Sequence, residues 1–158
     1  MEYAELFRED LIQLNAVFRD RKELFETIYK ELLEKELVKN TFLKAVENRE
    51  ENYPTGLQFE NLSIAIPHTD VKHIEQPFVY ICTLEKPIPF IQMGTSDTLV
   101  EAEVILVLGI KEPKEQVGML SRLMEIFSNK EFIKAFKNTD SESKILALFK
   151  KEMERTVE

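Results

Sequence analysis

Both histidines of the chain lie in one short stretch, SIAIPHTDVKH. His68 follows an apolar run that ends in Pro67, whose ring fixes its own φ and gives a stiff exit from a strand. A histidine held at a strand end is well placed to present its ring to a cleft. An imidazole there is suited to nucleophilic or acid–base chemistry. Since most single surface histidines have no such role, position alone leaves the function of His68 open.

Two other kinds of site use the same stretch. His68, Asp70 and His73 would form a metal site of the pattern H-x-D-x-x-H, but no further histidine and no cysteine cluster completes the usual three or four ligands. A Ser-His-Asp triad would need Ser63 or Thr69 as its nucleophile, and neither stands in a nucleophile-elbow context. A metal-dependent hydrolase using His68, Asp70 and His73 stays an alternative.

Several large enzyme classes lack their motifs in this sequence. Neither nucleotide-binding pattern, G-x-x-x-x-G-K-[ST] or G-x-G-x-x-G, is present, and neither G-x-S-x-G nor H-E-x-x-H occurs. The one cysteine, Cys82, cannot form an internal disulfide or a C-x-x-C pair. Its apolar surroundings indicate a small buried side chain. We expect no nucleotide, no metal and no other cofactor.

Composition and charge are those of an ordinary globular domain. The 158 residues are 44% hydrophobic and 32% charged, which predicts one domain over residues 1–158. The net charge of −8 argues against a nucleic-acid or anionic-membrane partner. The start, MEYAELFRED, lacks the apolar core of a signal peptide, and the apolar run 104–110 is far shorter than the ~20 residues of a membrane helix. We therefore expect a cytoplasmic protein with no direct membrane insertion.

Hydrophobic periodicity predicts the helices of the first third. Apolar residues recur at helical spacing over residues 21–39. Asn40 or Thr41 can cap a second helix, TFLKAVENREEN. Arg49 falls on or beside the buried face of that helix. From the pattern alone, the simplest interpretation is a rim arginine whose stem covers apolar surface.

The middle and last thirds predict strands and then further helices. Three segments rich in β-branched and aromatic residues are the predicted strands: 62–66, 78–84 and 99–110. Pro87 and Pro89 restrict their segment to an edge or a connection. A helix begins at Pro113, and S/T-x-x-E capping boxes at Ser128 and Thr139 open two more. The order helices, strands, helices predicts an α/β fold: a single-domain sandwich with a central mixed β-sheet flanked by helices.

The motif at His68 belongs to a longer series of residues. The series reads Arg49-Glu50, Tyr53-Pro54-Thr55-Gly56-Leu57, Glu60 and Ile64-Ala65-Ile66-Pro67-His68. It resembles the IIA components of the phosphoenolpyruvate:sugar phosphotransferase system, in the fructose/mannitol-type superfamily. The P-T-G-[IL]-x-x-E spacing, and His73 five residues after His68, resemble the galactitol-type branch. The resemblance covers about residues 20–150.

The resemblance implies a phosphotransferase with a phosphohistidine intermediate. IIA proteins of this type receive a phosphoryl group from the histidine-containing phosphocarrier protein and pass it to a cysteine of the cognate IIB component. The membrane IIC component then couples sugar uptake to phosphorylation. By family position, His68 would carry the phosphoryl group on Nε2. Arg49 would stabilise that group, which reverses the rim interpretation.

Two positions depart from the pattern of the wider superfamily. Thr69 stands where glycine often follows the active histidine, and Gln116 stands where a second histidine is often found. Gln116 can hydrogen-bond a phosphoryl group at a helix N-terminus, but it supplies no titratable proton. His73 is the only second imidazole of the chain, and we expect it to orient His68 or to contact the phosphoryl group. These departures favour the galactitol-type branch.

The resemblance is compatible with two roles. One is sugar transport, with a galactitol-like sugar or sugar alcohol as the transported compound. The alternative is a regulatory IIA-like domain whose phosphorylation state controls a protein partner. The galactitol-type spacing, together with the absence of a recognisable second domain, favours transport. The sugar itself is not specified by this chain, because specificity resides mainly in the IIC component.

Overall fold

One mixed β-sheet with helices on both of its faces organises residues 3–155, which the computed structural model describes. The strands are β1 (Phe7–Ala16), β2 (Gly56–Gln58), β3 (Ser63–Ala65), β4 (Phe78–Ile91) and β5 (Leu99–Gly109). The helices are α1 (Arg21–Glu34), α2 (Phe42–Asn52), α3 (Pro113–Phe127), α4 (Lys130–Lys137) and α5 (Glu142–Glu154). The predicted α/β sandwich with a central mixed sheet is confirmed.

The strand order of the sheet is β1-β4-β5-β3-β2. β4 and β5 are antiparallel, whereas β3 runs parallel to β5 with Ile64 opposite Val104. The pairing of β3 with β5 continues past the end of β3, since the Leu108 N–H donates to the Pro67 carbonyl at 3.0 Å. The carboxyl ends of β3 and β5 therefore lie at the same edge of the sheet. The segment after β3 and the start of α3 meet at this edge.

Two apolar clusters cover the two faces of the sheet. Alternate side chains of β4 divide between them: Val79 and Ile81 face one cluster, Tyr80 and Cys82 the other. The cluster of Val79 contains the buried stripes of α3, α4 and α5, and the cluster of Tyr80 contains those of α1 and α2. Cys82 is buried as predicted, and this burial is the main reason that the pKa of its thiol rises to about 12.

The predicted order of elements is wrong at its start, because β1 precedes the first α-helix. The buried residues of β1 do not alternate with exposed ones as strand residues usually do. They are Phe7, Leu11, Ile12 and Ala16. The register of β1 against β4 shifts twice, and Asn15 takes a left-handed φ of 56°. These irregularities remove the period of two that a strand prediction needs. The three-residue strand β2 was also not predicted.

Helix ends and caps differ from the prediction in detail. α1 ends at Glu34 instead of residue 39, and Glu36 follows with a left-handed φ of 59°. The two predicted capping residues of the last third are wrong. Asn129 caps α4 in place of Ser128, and Ser141 caps α5 in place of Thr139. In each case a neighbouring polar residue has the extended backbone that a cap requires.

The segment with the two prolines lies inside β4, beyond the part of that strand that pairs with β1. The pairing of β1 ends at Leu84, and Ile88 to Ile91 pair with β5 on one side. Pro87 and Pro89 therefore occupy an edge, as predicted, which is where a sheet tolerates proline.

Candidate functional site

His68 lies three residues beyond β3, at the sheet edge shared with the start of α3. Its side chain is largely enclosed, since the residue is 8% exposed. The ring Nδ1 is 2.8 Å from the carbonyl oxygen of Ile66. A carbonyl oxygen can only accept, so Nδ1 carries the ring proton and donates. The other nitrogen, Nε2, therefore holds the lone pair of the neutral imidazole.

The surroundings of His68 favour the neutral ring. Burial is the largest effect and lowers the pKa of His68 from its ordinary value of 6.5. The hydrogen bond to Ile66 raises that pKa, and the positive charge of Arg49 lowers it. Because burial and Arg49 act in the same direction, the pKa is lowered overall. A neutral imidazole with a free Nε2 is a competent nucleophile near neutral pH.

Arg49 stands in the last turn of α2, next to the buried Val46 and Glu50. Its side chain is 38% exposed, and Nη1 lies 3.8 Å from Oδ1 of Asp70. The guanidinium carbon lies 4.6 Å from the centre of the Tyr53 ring. The Nε atom of Arg49 is buried and, among residues 3–155, has no hydrogen-bond partner. A guanidinium that stacks on an aromatic ring and has an unused N–H can donate a hydrogen bond to a phosphoryl oxygen.

Glu50 and Thr55 form a buried pair that the sequence interpretation did not select as functional. The Thr55 N–H donates to Glu50 Oε2 at 2.7 Å, and its hydroxyl donates to Oε1 at 2.8 Å. Burial is the largest cause of a raised pKa at Glu50, opposed by these hydrogen bonds. The available signal was a carboxylate four residues after Val46, on the inner face of α2. An acid at such a position needs a buried donor.

His73 lies at the end of a single 3-10 turn, Val71–His73, which follows Asp70. Its Nδ1 is 2.8 Å from the hydroxyl of Thr41. Its carbonyl accepts from the Lys39 N–H at 2.9 Å. Thr41 is the N-cap residue of α2, but its side chain makes no capping hydrogen bond. Among the described residues no hydrogen bond joins His73 to His68, so its contact with the phosphoryl group remains a prediction.

Gln116 occupies the first turn of α3, at the same sheet edge as His68. Its backbone N–H donates to the Glu112 carbonyl at 2.9 Å. Its side-chain Oε1 is buried and has no hydrogen-bond partner in the described part of the chain. The fold thus brings Gln116 to the sheet edge where His68 lies. Among the described residues, no hydrogen bond joins the two side chains.

The residues of the alternative metal site have separate partners. Asp70 pairs with Arg49, and His73 bonds to Thr41. Within residues 3–155, no group of three or more histidine, cysteine, aspartate or glutamate side chains is arranged to hold a metal ion. Over the same residues, no helix has both the length and the apolar character needed to cross a membrane.

Comparisons with known proteins find relatives in sequence and in fold. The galactitol-specific EIIA component of Escherichia coli K12 is 31% identical over 103 residues, which are 65% of this chain and 68% of that protein. The fold is similar to that of the nitrogen regulatory protein IIA-Ntr from Neisseria meningitidis, with a TM-score of 0.72 and 20% identity over 92% of this chain and 97% of that chain. It is also similar to a chain in the complex of E. coli enzyme IIA-mannitol with phosphorylated enzyme IIB-mannitol, with a TM-score of 0.68 and 20% identity over 88% and 93% of the two chains.

The family comparison spans most of the chain. Residues 5–152 match the family described as phosphoenolpyruvate-dependent sugar phosphotransferase system, EIIA 2. The matched range includes the four predicted site residues, His68, Arg49, His73 and Gln116. The chain belongs to the EIIA 2 family of the phosphoenolpyruvate-dependent sugar phosphotransferase system.

Proposed function

We propose that the protein is a cytoplasmic phosphocarrier that receives a phosphoryl group on Nε2 of His68 and passes it to a cysteine of a IIB component. The arrangement of His68 is the observation that carries this proposal. Its Nδ1–H is bound to the Ile66 carbonyl at 2.8 Å, so the nucleophilic lone pair is on Nε2. Burial keeps the ring neutral, and Arg49 supplies the nearby positive charge.

The transfer uses His68 as nucleophile and Arg49 as electrostatic partner. The Nε2 lone pair forms a bond to phosphorus as the bond between phosphorus and the donor's histidine nitrogen breaks. The electron pair of that bond returns to the donor ring, and the ring proton of His68 stays on Nδ1, hydrogen-bonded to the Ile66 carbonyl. Arg49 donates to an equatorial oxygen from its Nε, which has no hydrogen-bond partner within residues 3–155, since phosphoryl transfer depends mainly on positioning and charge stabilisation. Gln116 offers a side-chain amide at the same sheet edge.

Protein partners are the donor and the acceptor in this proposal. The histidine-containing phosphocarrier protein supplies the group, a IIB cysteine removes it, and a membrane IIC component uses it for sugar uptake. Two exposed apolar side chains support docking near the site: Tyr53 is 64% exposed and stacks on Arg49, and Val117 is 66% exposed and follows Gln116. Apolar side chains of this kind form the centre of protein interfaces.

Transport of a galactitol-like sugar alcohol is the role that we propose over the regulatory alternative. The supporting observation is the 31% identity to a galactitol-specific EIIA component. Restoration of galactitol uptake in cells that lack their own IIA would support this role. Failure to restore uptake of any sugar alcohol, with normal phosphorylation of the protein, would favour the regulatory role.

Reconstituted phosphorylation tests the chemical assignment. The protein is mixed with phosphoenolpyruvate, enzyme I and the phosphocarrier protein, and acid-labile phosphate is mapped to a residue. We expect label on His68 in the wild type and no label in His68→Ala. His73→Ala serves as the matched control, because it removes the only other imidazole, and we expect it to be labelled. Label that persists in folded His68→Ala would refute the assignment.

A further inference from the structure

The buried pair of Glu50 and Thr55 has no part in the transfer step described above. Glu50 is 2% exposed and Thr55 1% exposed, and both carboxylate oxygens of Glu50 accept from Thr55. The two hydrogen bonds close the loop between α2 and β2. A buried carboxylate that makes both of its bonds to one residue holds that residue firmly in place.

Two further hydrogen bonds connect this pair to His68. The Ile66 N–H donates to the Thr55 carbonyl at 3.4 Å. The Ile66 carbonyl accepts from Nδ1 of His68 at 2.8 Å. Both bonds use the backbone of Ile66, so a displacement of Thr55 moves the carbonyl that accepts from Nδ1 of His68.

Glu50 is also connected to the arginine of the site. Arg49 precedes it on α2, and Tyr53 lies in the loop that the buried pair closes. The Tyr53 ring supports the Arg49 guanidinium at 4.6 Å. One carboxylate thus anchors the loop that positions both the phosphoryl acceptor and its positive partner.

We propose that Glu50 is a positioning residue for His68: through Thr55 it fixes the Ile66 carbonyl, and thereby the tautomer and the orientation of the His68 ring. The effect of Glu50 on the transfer rate rests on the proposed function. The tautomer of His68 does not, because it is a property of the unphosphorylated protein.

Variants of Glu50 separate this role from simple support of the fold. Glu50→Ala removes both acceptors of Thr55. Glu50→Gln keeps an acceptor for the Thr55 N–H, and its amide can donate to the Thr55 hydroxyl, so it retains both contacts without the charge. Glu103→Ala is the matched control. Glu103 of β5 is half-buried and accepts at 3.2 Å from the N–H of Ser63, the residue at which β3 begins, away from His68.

Two measurements are made on each folded variant. The nitrogen-15 chemical shifts of His68 report the tautomer, and the rate of labelling in the reconstituted phosphotransfer mixture reports the function. In Glu50→Ala we expect a smaller fraction of the Nδ1–H tautomer and labelling slower by roughly fivefold to tenfold, the effect of losing the one hydrogen bond between His68 and the Ile66 carbonyl. We expect Glu50→Gln and Glu103→Ala to stay within about twofold of the wild-type rate and to keep its tautomer.

Wild-type nitrogen shifts of His68 in folded Glu50→Ala would overturn the proposal, whatever the labelling rate. An equal change of tautomer in Glu103→Ala would also overturn it, because the effect would then be general. If Glu50→Ala does not fold, Thr55→Val removes only the hydroxyl bond, and the same two measurements decide. A wild-type protein that is never labelled would refute the proposed function, while the nitrogen shifts would still decide the role of Glu50.

Discussion

Replacement of Arg49 gives the sharpest test of how the site stabilises a phosphoryl group. Its Nε is buried and has no hydrogen-bond partner among residues 3–155, and the positive charge of Arg49 acts on His68. Loss of a charge-assisted hydrogen bond costs ~1.5–3 kcal/mol. If the bond forms in the transition state, Arg49→Ala should phosphorylate about ten- to a hundredfold more slowly.

A lysine at the same position separates charge from geometry. Arg49→Lys keeps a positive charge but lacks both the Nε donor and the planar surface that stacks on Tyr53. We expect its rate to fall between those of the wild type and Arg49→Ala. A rate equal to that of the wild type would mean that charge alone is used.

The assay must exclude an indirect effect on the nucleophile. The positive charge of Arg49 lowers the pKa of His68, so its removal raises that pKa and increases the protonated fraction at mildly acidic pH. Single-turnover labelling at about pH 8 avoids this effect, because the ring is then neutral in every variant. Arg8→Ala is the control: Arg8 is 44% exposed and pairs with Asp10 at 2.6 Å on the edge strand β1, which β4 and β5 separate from β3. An unchanged rate in folded Arg49→Ala at that pH would refute the reasoning.

Three further predictions concern pH, the second histidine and packing. Burial lowers the pKa of His68, so a pH–rate profile should show a constant labelling rate as the pH falls to 6.5 and a decline only at lower pH. The stability linked to this ring, measured by urea unfolding, should be complete above pH 6.5 and decrease below it, because the unfolded chain binds the proton first. His73→Ala should be labelled but should pass its group to IIB more slowly, since the ring ties its turn to Thr41; wild-type rates in both half-reactions would reduce His73 to a structural role. Gly109→Ala should lower the free energy of unfolding by ~1–3 kcal/mol, because the new Cβ would lie 2.2 Å from the Phe78 ring. Adding Phe78→Leu to this variant should restore part of the lost stability. Equal thermal midpoints for Gly109→Ala and the wild type would contradict the packing argument.

The sequence predicted elements well where one signal dominated. β3 and β5 were found because they are rich in β-branched and other apolar residues, uninterrupted over residues 104–110, and α3 because Pro113 stands at its first turn. β1 was not found, because Arg8, Glu9 and Asp10 interrupt its apolar residues. Periodicity can identify a strand only when its pairing is regular.

The types and the order of the residues were enough to predict the candidate site. The contacts that support it could not be predicted in this way. His68 and Arg49 are recognisable because each chemical group stands at a fixed place in a motif. The bond from Thr55 to Glu50 crosses five residues between a helix and a loop, and no periodic pattern encodes it. The bond from His73 to Thr41 crosses 32 residues, and it became visible only in the fold.

The position of β1 determines when the chain can complete its fold during synthesis. Its partner in the sheet lies far along the chain, with Phe7 opposite Val79, and the Phe7 ring stacks on Phe149 of α5 at 5.1 Å. Contacts between such distant residues form late, because long loops must close first. β1 therefore leaves the ribosome long before α5 can cover it. Until then β1 is an unpaired strand, and its three consecutive charged residues, Arg8, Glu9 and Asp10, disfavour its pairing with other nascent chains.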